Sequence, residues 1–144
     1  MKLEEIKEMW AEDSVIGPDL SAESLRIFPL HSKWLGILMD LKATHKNAEM
    51  KLYDIQRKKV RYYKGEMSLD ELESNGWKQY QGAKPLRADL EDLVRSDEDV
   101  MRVQARVDYY QIEIDTVKEI MASINGRQWN IKNAISWAMF QAGV

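Results

Sequence analysis

The chain of 144 residues contains no cysteine. That excludes disulfides, thiolate nucleophiles and cysteine metal sites, and it suits a reducing cytoplasm. Histidine is almost as scarce: only His31 and His45 occur, and a Ser-His-Asp site would have to use one of them. A di-iron bundle sets Glu three residues before His, but Phe28 and Lys42 hold those positions. His45 and Glu49 lie one helical turn apart and could share a metal, yet two ligands alone make a weak site. A packed or solvated seam histidine is the favoured reading. No glycine-rich phosphate loop is present, so a Walker-type nucleotide site is excluded. The residues therefore give only poor signals for an enzyme, and a small helical enzyme would require a bound metal or nucleotide. Apolar runs are short, and none approaches the roughly 20 residues that span a bilayer. The opening "MKLEEIKEMW" alternates acids with apolar residues and does not read as a signal peptide. With only three prolines and seven glycines, little stands in the way of long helices.

What is present suits one helical domain over 1–144. The length is sufficient to bury a core, and hydrophobic residues make up an ordinary 44%. The net charge of −3 hides an uneven distribution. Residues 1–65 hold 12 Lys and Arg against 10 acids, residues 66–99 hold 4 against 10, and residues 100–144 hold 5 against 4. Local charge is what a nucleic acid would meet. Three sections are expected: N-terminal helices over 1–65, an acidic connector with short helices over 66–95, and C-terminal helices over 96–144.

Periodicity predicts a first helix over about 2–13, with Leu3, Ile6 and Trp10 on one face. Gly17 and Pro18 break it. A short helical pattern from about 20 to 28 either ends near Pro29 or continues through it with a kink. From Trp34 a heptad seam begins: Trp34, Leu38, Leu41, His45, Ala48, Leu52, Ile55, Lys59 and Tyr62. That spacing marks a helix lying along another helix. Gly65 is expected to end it. "SLDE" at 68–71 reads as a capping box opening a short helix, which Asn75-Gly76 closes. Pro85 suits the first turn of another helix, and "SDED" at 96–99 reads as a second capping box. It opens the cleanest seam: Val100, Val103, Val107, Tyr110, Ile114, Val117, Met121 and Ile124. Asn125-Gly126 is expected to end that helix. A last helix over about 128–142 is apolar on several sides, which predicts burial and, in so small a protein, suggests contact with another subunit. The two seams allow an intramolecular bundle or a homo-oligomer joined by helices, and the last helix favours the second.

The chemically distinctive stretch is "QRKKVRYYKG" at 56–65, five cations around two tyrosines with no acid. A solvated basic helix end is the plain reading. Three details favour single-stranded nucleic acid. Lys51 and Lys58 are seven apart, and Arg57, Arg61 and Lys64 are spaced four and three, so the charges form stripes. Lys59 and Tyr62 hold seam positions where apolar residues would stabilise better. Cations beside aromatic rings also match a strand's phosphates and bases. Tyr62 falls on the seam, which leaves Tyr63 the better stacking candidate. The expected contact set is Lys51, Arg57, Lys58, Lys59, Arg61, Tyr62, Tyr63 and Lys64.

Four blocks then support a resemblance: "SKWL" at 32–35, a basic pair followed by Tyr62-Tyr63 and Gly65, "SDEDV" at 96–100, and "GRQWNIKNAI" at 126–135 with a terminal "FQAG". In order and spacing they resemble the UvsY family, the recombination mediators of tailed phages. The resemblance implies an all-α, non-enzymatic protein that binds single-stranded DNA in the cytoplasm of the infected bacterial host. It implies contact with a RecA-like recombinase and the phage single-strand-binding protein, the first replacing the second on the strand. It also implies a ring-like homo-oligomer, a hexamer or heptamer, assembled through the C-terminal region. Val107, Tyr110, Ile114, Val117, Met121, Trp129, Ile135, Trp137 and Phe140 are the expected assembly residues. The family's basic pair falls on Arg57 and Lys59. Where the family has Leu-Asp before its tyrosines, this chain has Val60-Arg61, which adds charge. Residues 66–95 depart most from the family pattern. That acidic segment is a soluble connector, a competitor for the basic stripe or a face for the recombinase. The rival reading of the whole chain is a helical adaptor that binds only protein, its basic run meeting an acidic partner.

Overall fold

A computed structural model describes residues 1–144. The chain is all-α, with five helices in order: α1 Leu3–Asp13, α2 Leu20–Tyr63, α3 Leu69–Asn75, α4 Arg87–Ser96 and α5 Glu98–Gln141. No helix is long and apolar enough to cross a membrane. The fold divides into two compact units, Met1–Thr44 with Tyr110–Val144, and His45–Tyr109. The long helices α2 and α5 contribute to both.

In the first unit α1, α2 and α5 close around Ile6, Leu30, Trp34, Leu38, Leu41, Ile114, Val117, Ile120 and Ile124. These are the predicted seam positions, joined by Ile6, Leu30 and Ile120. Trp10 meets Trp34 edge-on at 6.0 Å, a favourable aromatic geometry. The Trp34 indole donates to Asp13 Oδ2 at 3.0 Å. Arg127 of α5, almost wholly buried, fastens the α1–α2 turn. It donates to the carbonyls of Asp13 at 2.9 Å and Val15 at 3.1 Å, and to Glu23 Oε2 at 3.0 Å. Burial alone would raise the Glu23 carboxyl, but its bond from the Arg127 guanidinium leads the opposing effects and holds it below its ordinary range. The Arg127 Nε itself has no hydrogen-bond partner, and Glu113 departs further from this pattern. Its side chain is fully buried and neither carboxylate oxygen has a hydrogen-bond partner.

One open choice is resolved and one expected break does not occur. Pro29 lies inside α2, which resolves the choice between an end and a continuation. An interior proline costs about 3 kcal/mol, and burial of Leu30, Trp34 and Leu38 just beyond it offsets that at about 1.5–3 kcal/mol each. Asn125-Gly126 does not end α5, which runs to Gln141. Ile124, Arg127 and Ile131 are all buried on one side there, so packing on both flanks keeps the helix going. Within one chain Trp129, Ile135, Trp137, Met139 and Phe140 are exposed, so the burial expected from this helix's composition is not supplied by the chain itself.

The second unit joins the end of α2 to α3, α4 and the start of α5. Leu90, Val94 and Val100 pack against Leu52, Ile55, Val60 and Tyr63. Gly65, at φ 71°, ends α2 as expected. The Gly65 N–H bonds the Tyr62 carbonyl and the Glu66 N–H the Arg61 carbonyl. Ser68 caps α3 by accepting from the Glu71 N–H at 3.2 Å, and Gly76 closes it. Pro85 precedes the start of α4 rather than entering its first turn. The cap of α5 is Asp97, not Ser96. Asp97 Oδ1 accepts from the Asp99 N–H at 2.9 Å, while Ser96 ends α4 and bonds back to the Asp92 carbonyl.

Candidate nucleic-acid interface

The basic run occupies the last two turns of α2, where a cation is favoured by the helix dipole. The structure splits it into a buried group and an exposed group. Lys59 is only 4% exposed. Its Nζ sits 3.2 Å from Asp97 Oδ2 and 2.9 Å from Asp99 Oδ2. It also lies 3.9 Å from the Trp77 ring centroid and 5.1 Å from that of Tyr62. This double ion pair under an aromatic lid is a fold lock, because a desolvated cation needs both kinds of partner. The hydrogen bond from Lys59 leads the effects that hold the Asp99 carboxyl below its ordinary range.

The two tyrosines belong to the same lock. Tyr63 donates its hydroxyl to Asp97 Oδ2 at 2.7 Å, and Tyr62 donates to the Lys78 carbonyl at 2.6 Å. Their rings meet at 5.1 Å, and Tyr80 closes on Tyr63 at 5.0 Å. Burial, reinforced by the bond to Asp97, raises the Tyr63 hydroxyl far above its ordinary range. Tyr63 is therefore packed edge-on among rings, with little face left for a base.

The remaining cations point outward. Arg57 is 69% exposed, with Asp54 at 3.6 Å, and Lys58 meets the same carboxylate at 3.1 Å. Lys51 and Lys64 are exposed. Arg61 is half-exposed and forms a two-pronged pair with Glu71 of α3, at 2.8 and 3.1 Å. Exposed pairs of this kind contribute roughly 0–1 kcal/mol, so an incoming anion can displace them at little cost. Upstream on the same helix, Lys46, Glu49, Met50, Tyr53, Asp54 and Arg57 line a shallow groove of about 470 Å³. His45 Nδ1 lies 3.8 Å from Glu49, and no group of three metal-ligating side chains occurs anywhere.

The residues expected to join copies divide similarly. Ile114 and Val117 lie in the chain's own core and Met121 packs against it. Val107 is buried and Tyr110 half-buried. Trp129, Ile135, Trp137 and Phe140 face solvent, and the last two rings stack at 5.7 Å. Sequence reasoning missed Trp77, Asp97 and Asp99 as the partners that consume Lys59. Its one available signal was a lysine on a seam position, which needs an acid from elsewhere. It also passed over Tyr53.

A family model described as "Recombination, repair and ssDNA binding protein UvsY" matches residues 9–144. The recombination protein uvsY of Enterobacteria phage T4 is 24% identical over 144 residues, covering 99% of each chain. Two crystal structures of the bacteriophage T4 recombination mediator protein UvsY share the fold. One, lattice type II, has a TM-score of 0.85 at 23% identity, covering 99% of this chain and 98% of the other. The second, lattice type IV, has a TM-score of 0.84 at 24% identity, covering 97% and 99%. With a family match that spans nearly the whole length, this chain belongs to the UvsY family of recombination, repair and single-stranded-DNA-binding proteins.

Proposed function

We propose that the protein is a recombination mediator acting in the cytoplasm of an infected bacterial host. It binds single-stranded DNA and helps a RecA-like recombinase replace the phage single-strand-binding protein on the strand. The observation that carries this reading is the outward-facing set Lys51, Arg57, Lys58 and Lys64, with Arg61 in a replaceable pair. Cations so placed neutralise phosphates and release counterions. Lys59, Tyr62 and Tyr63 serve by holding the end of α2 in shape.

Assembly supplies the affinity that one shallow patch lacks. The exposed Trp129, Ile135, Trp137 and Phe140 are the contacts between copies, forming a ring-like hexamer or heptamer. A ring repeats each patch, so a strand held at one site meets the next at high effective concentration.

The test is a titration of oligothymidylate at several salt concentrations. The wild type binds with a slope set by about 0.7 log units per log unit of salt for each phosphate engaged. Arg57→Ala with Lys64→Ala weakens binding and flattens the slope by about 1.4, with oligomer size unchanged. Equal affinity at equal slope would remove these residues from the site. On strand coated with single-strand-binding protein, the same variant slows recombinase loading.

A further inference from the structure

The geometry points to Tyr53 as a base-stacking platform for an unpaired DNA strand, on a face of α2 separate from the Tyr62-Tyr63 pair. This deepens, and rests on, the strand-binding reading above.

The argument begins with what a stacking residue needs, which is a free ring face beside positive charge. Tyr62 and Tyr63 are half-buried and locked edge-on among Trp77 and Tyr80. Tyr53 is 70% exposed. Lys46 stands seven residues before it and Arg57 four after it, so all three share one face of the helix. Both flanking cations are largely exposed. Met50 lies one turn back, and together these side chains line the shallow groove already described.

Charge decides which occupant fits. Residues 45–64 hold seven Lys and Arg against two acids, Glu49 and Asp54. Each acid is engaged by exposed neighbours, Glu49 by Lys46 at 3.7 Å and Asp54 by Arg57 and Lys58. Such pairs are weak, and a strand can exchange its phosphates for those carboxylates. A polyanion carrying flat apolar rings satisfies both the cations and the open tyrosine face. An apolar protein surface satisfies only the ring.

The test compares wild type, Tyr53→Ala and Tyr53→Phe on oligothymidylate and on an abasic strand of equal length, by fluorescence anisotropy. Stacking requires the ring and not the hydroxyl. Tyr53→Ala is expected to lose at least about fivefold in affinity for oligothymidylate. It should keep the wild-type salt slope and the wild-type affinity for the abasic strand, while Tyr53→Phe binds both as the wild type does. Equal affinity of Tyr53→Ala for oligothymidylate would overturn the assignment while leaving the cationic site standing. So would an equal loss on both strands, or a changed sedimentation coefficient without DNA, since the ring would then support fold or assembly. If the wild type itself ignored oligothymidylate, the strand-binding reading and this assignment would fall together.

Discussion

Lys59 and Arg57 are two residues apart and do opposite work. Arg57 keeps most of its surface in water, while Lys59 holds two carboxylates below a tryptophan ring. Removing the lysine strands Asp97 and Asp99, and uncompensated buried charge is strongly destabilising. Because Asp99 retains some exposure, Lys59→Ala is expected to cost about 3 kcal/mol, read as a lowered urea midpoint by far-UV circular dichroism. Arg57→Ala should stay within about 0.5 kcal/mol of wild type in the same assay. A Lys59→Ala protein as stable as wild type would deny the lock. The cationic character of this run was legible in the sequence because it is local. The lock was not, because its parts come from distant segments: Tyr63 and Asp97 are 34 residues apart, and charge alone does not tell a solvated lysine from a buried one.

At the level of elements, the three-and-four spacing in α2 and α5 was the readable signal, since it follows directly from which face is buried. The Pro29 and Gly126 positions resisted it. Local penalties there are a few kcal/mol at most, and tertiary packing on both sides outweighs them. The last turns of α5 carry the apolar side chains that their composition shows, and one chain alone does not cover them. Trp137 is 59% exposed and Phe140 73%. Trp137→Glu is expected to dissociate the proposed assembly to protomers in sedimentation velocity, with helical content and protomer stability unchanged to within about 0.5 kcal/mol. A variant of full wild-type mass would move the assembly contacts elsewhere.

For the whole molecule, stability should depend on pH through groups that pull in opposite directions. Glu23 and Asp99 are held below their ordinary range. They contribute stability above the unfolded carboxylate range that is lost as pH falls through their folded values. Glu113 is the reverse. Burial pushes its carboxyl up, the Met1 amine opposes this, and the Glu5 charge adds to the rise. Its folded form binds a proton that the unfolded form releases near the ordinary 4.5, so stability is lost as pH rises from there through the folded value. Glu113→Met, of similar volume, should remove that decline and gain about 1–3 kcal/mol at neutral pH. Thermal melts between about pH 2 and about pH 8 read both effects, and a variant whose stability falls in parallel with the wild type would refute the role of Glu113.

The reach of Arg127 across the sequence, to backbone carbonyls 112 and 114 positions earlier, sets a boundary for anyone trimming the tail. Cutting beyond Ile131 strips the sticky end and leaves the N-terminal elbow clasped. Cutting ahead of Arg127 lets that elbow go as well, and a dead fragment of that kind would say nothing about self-association.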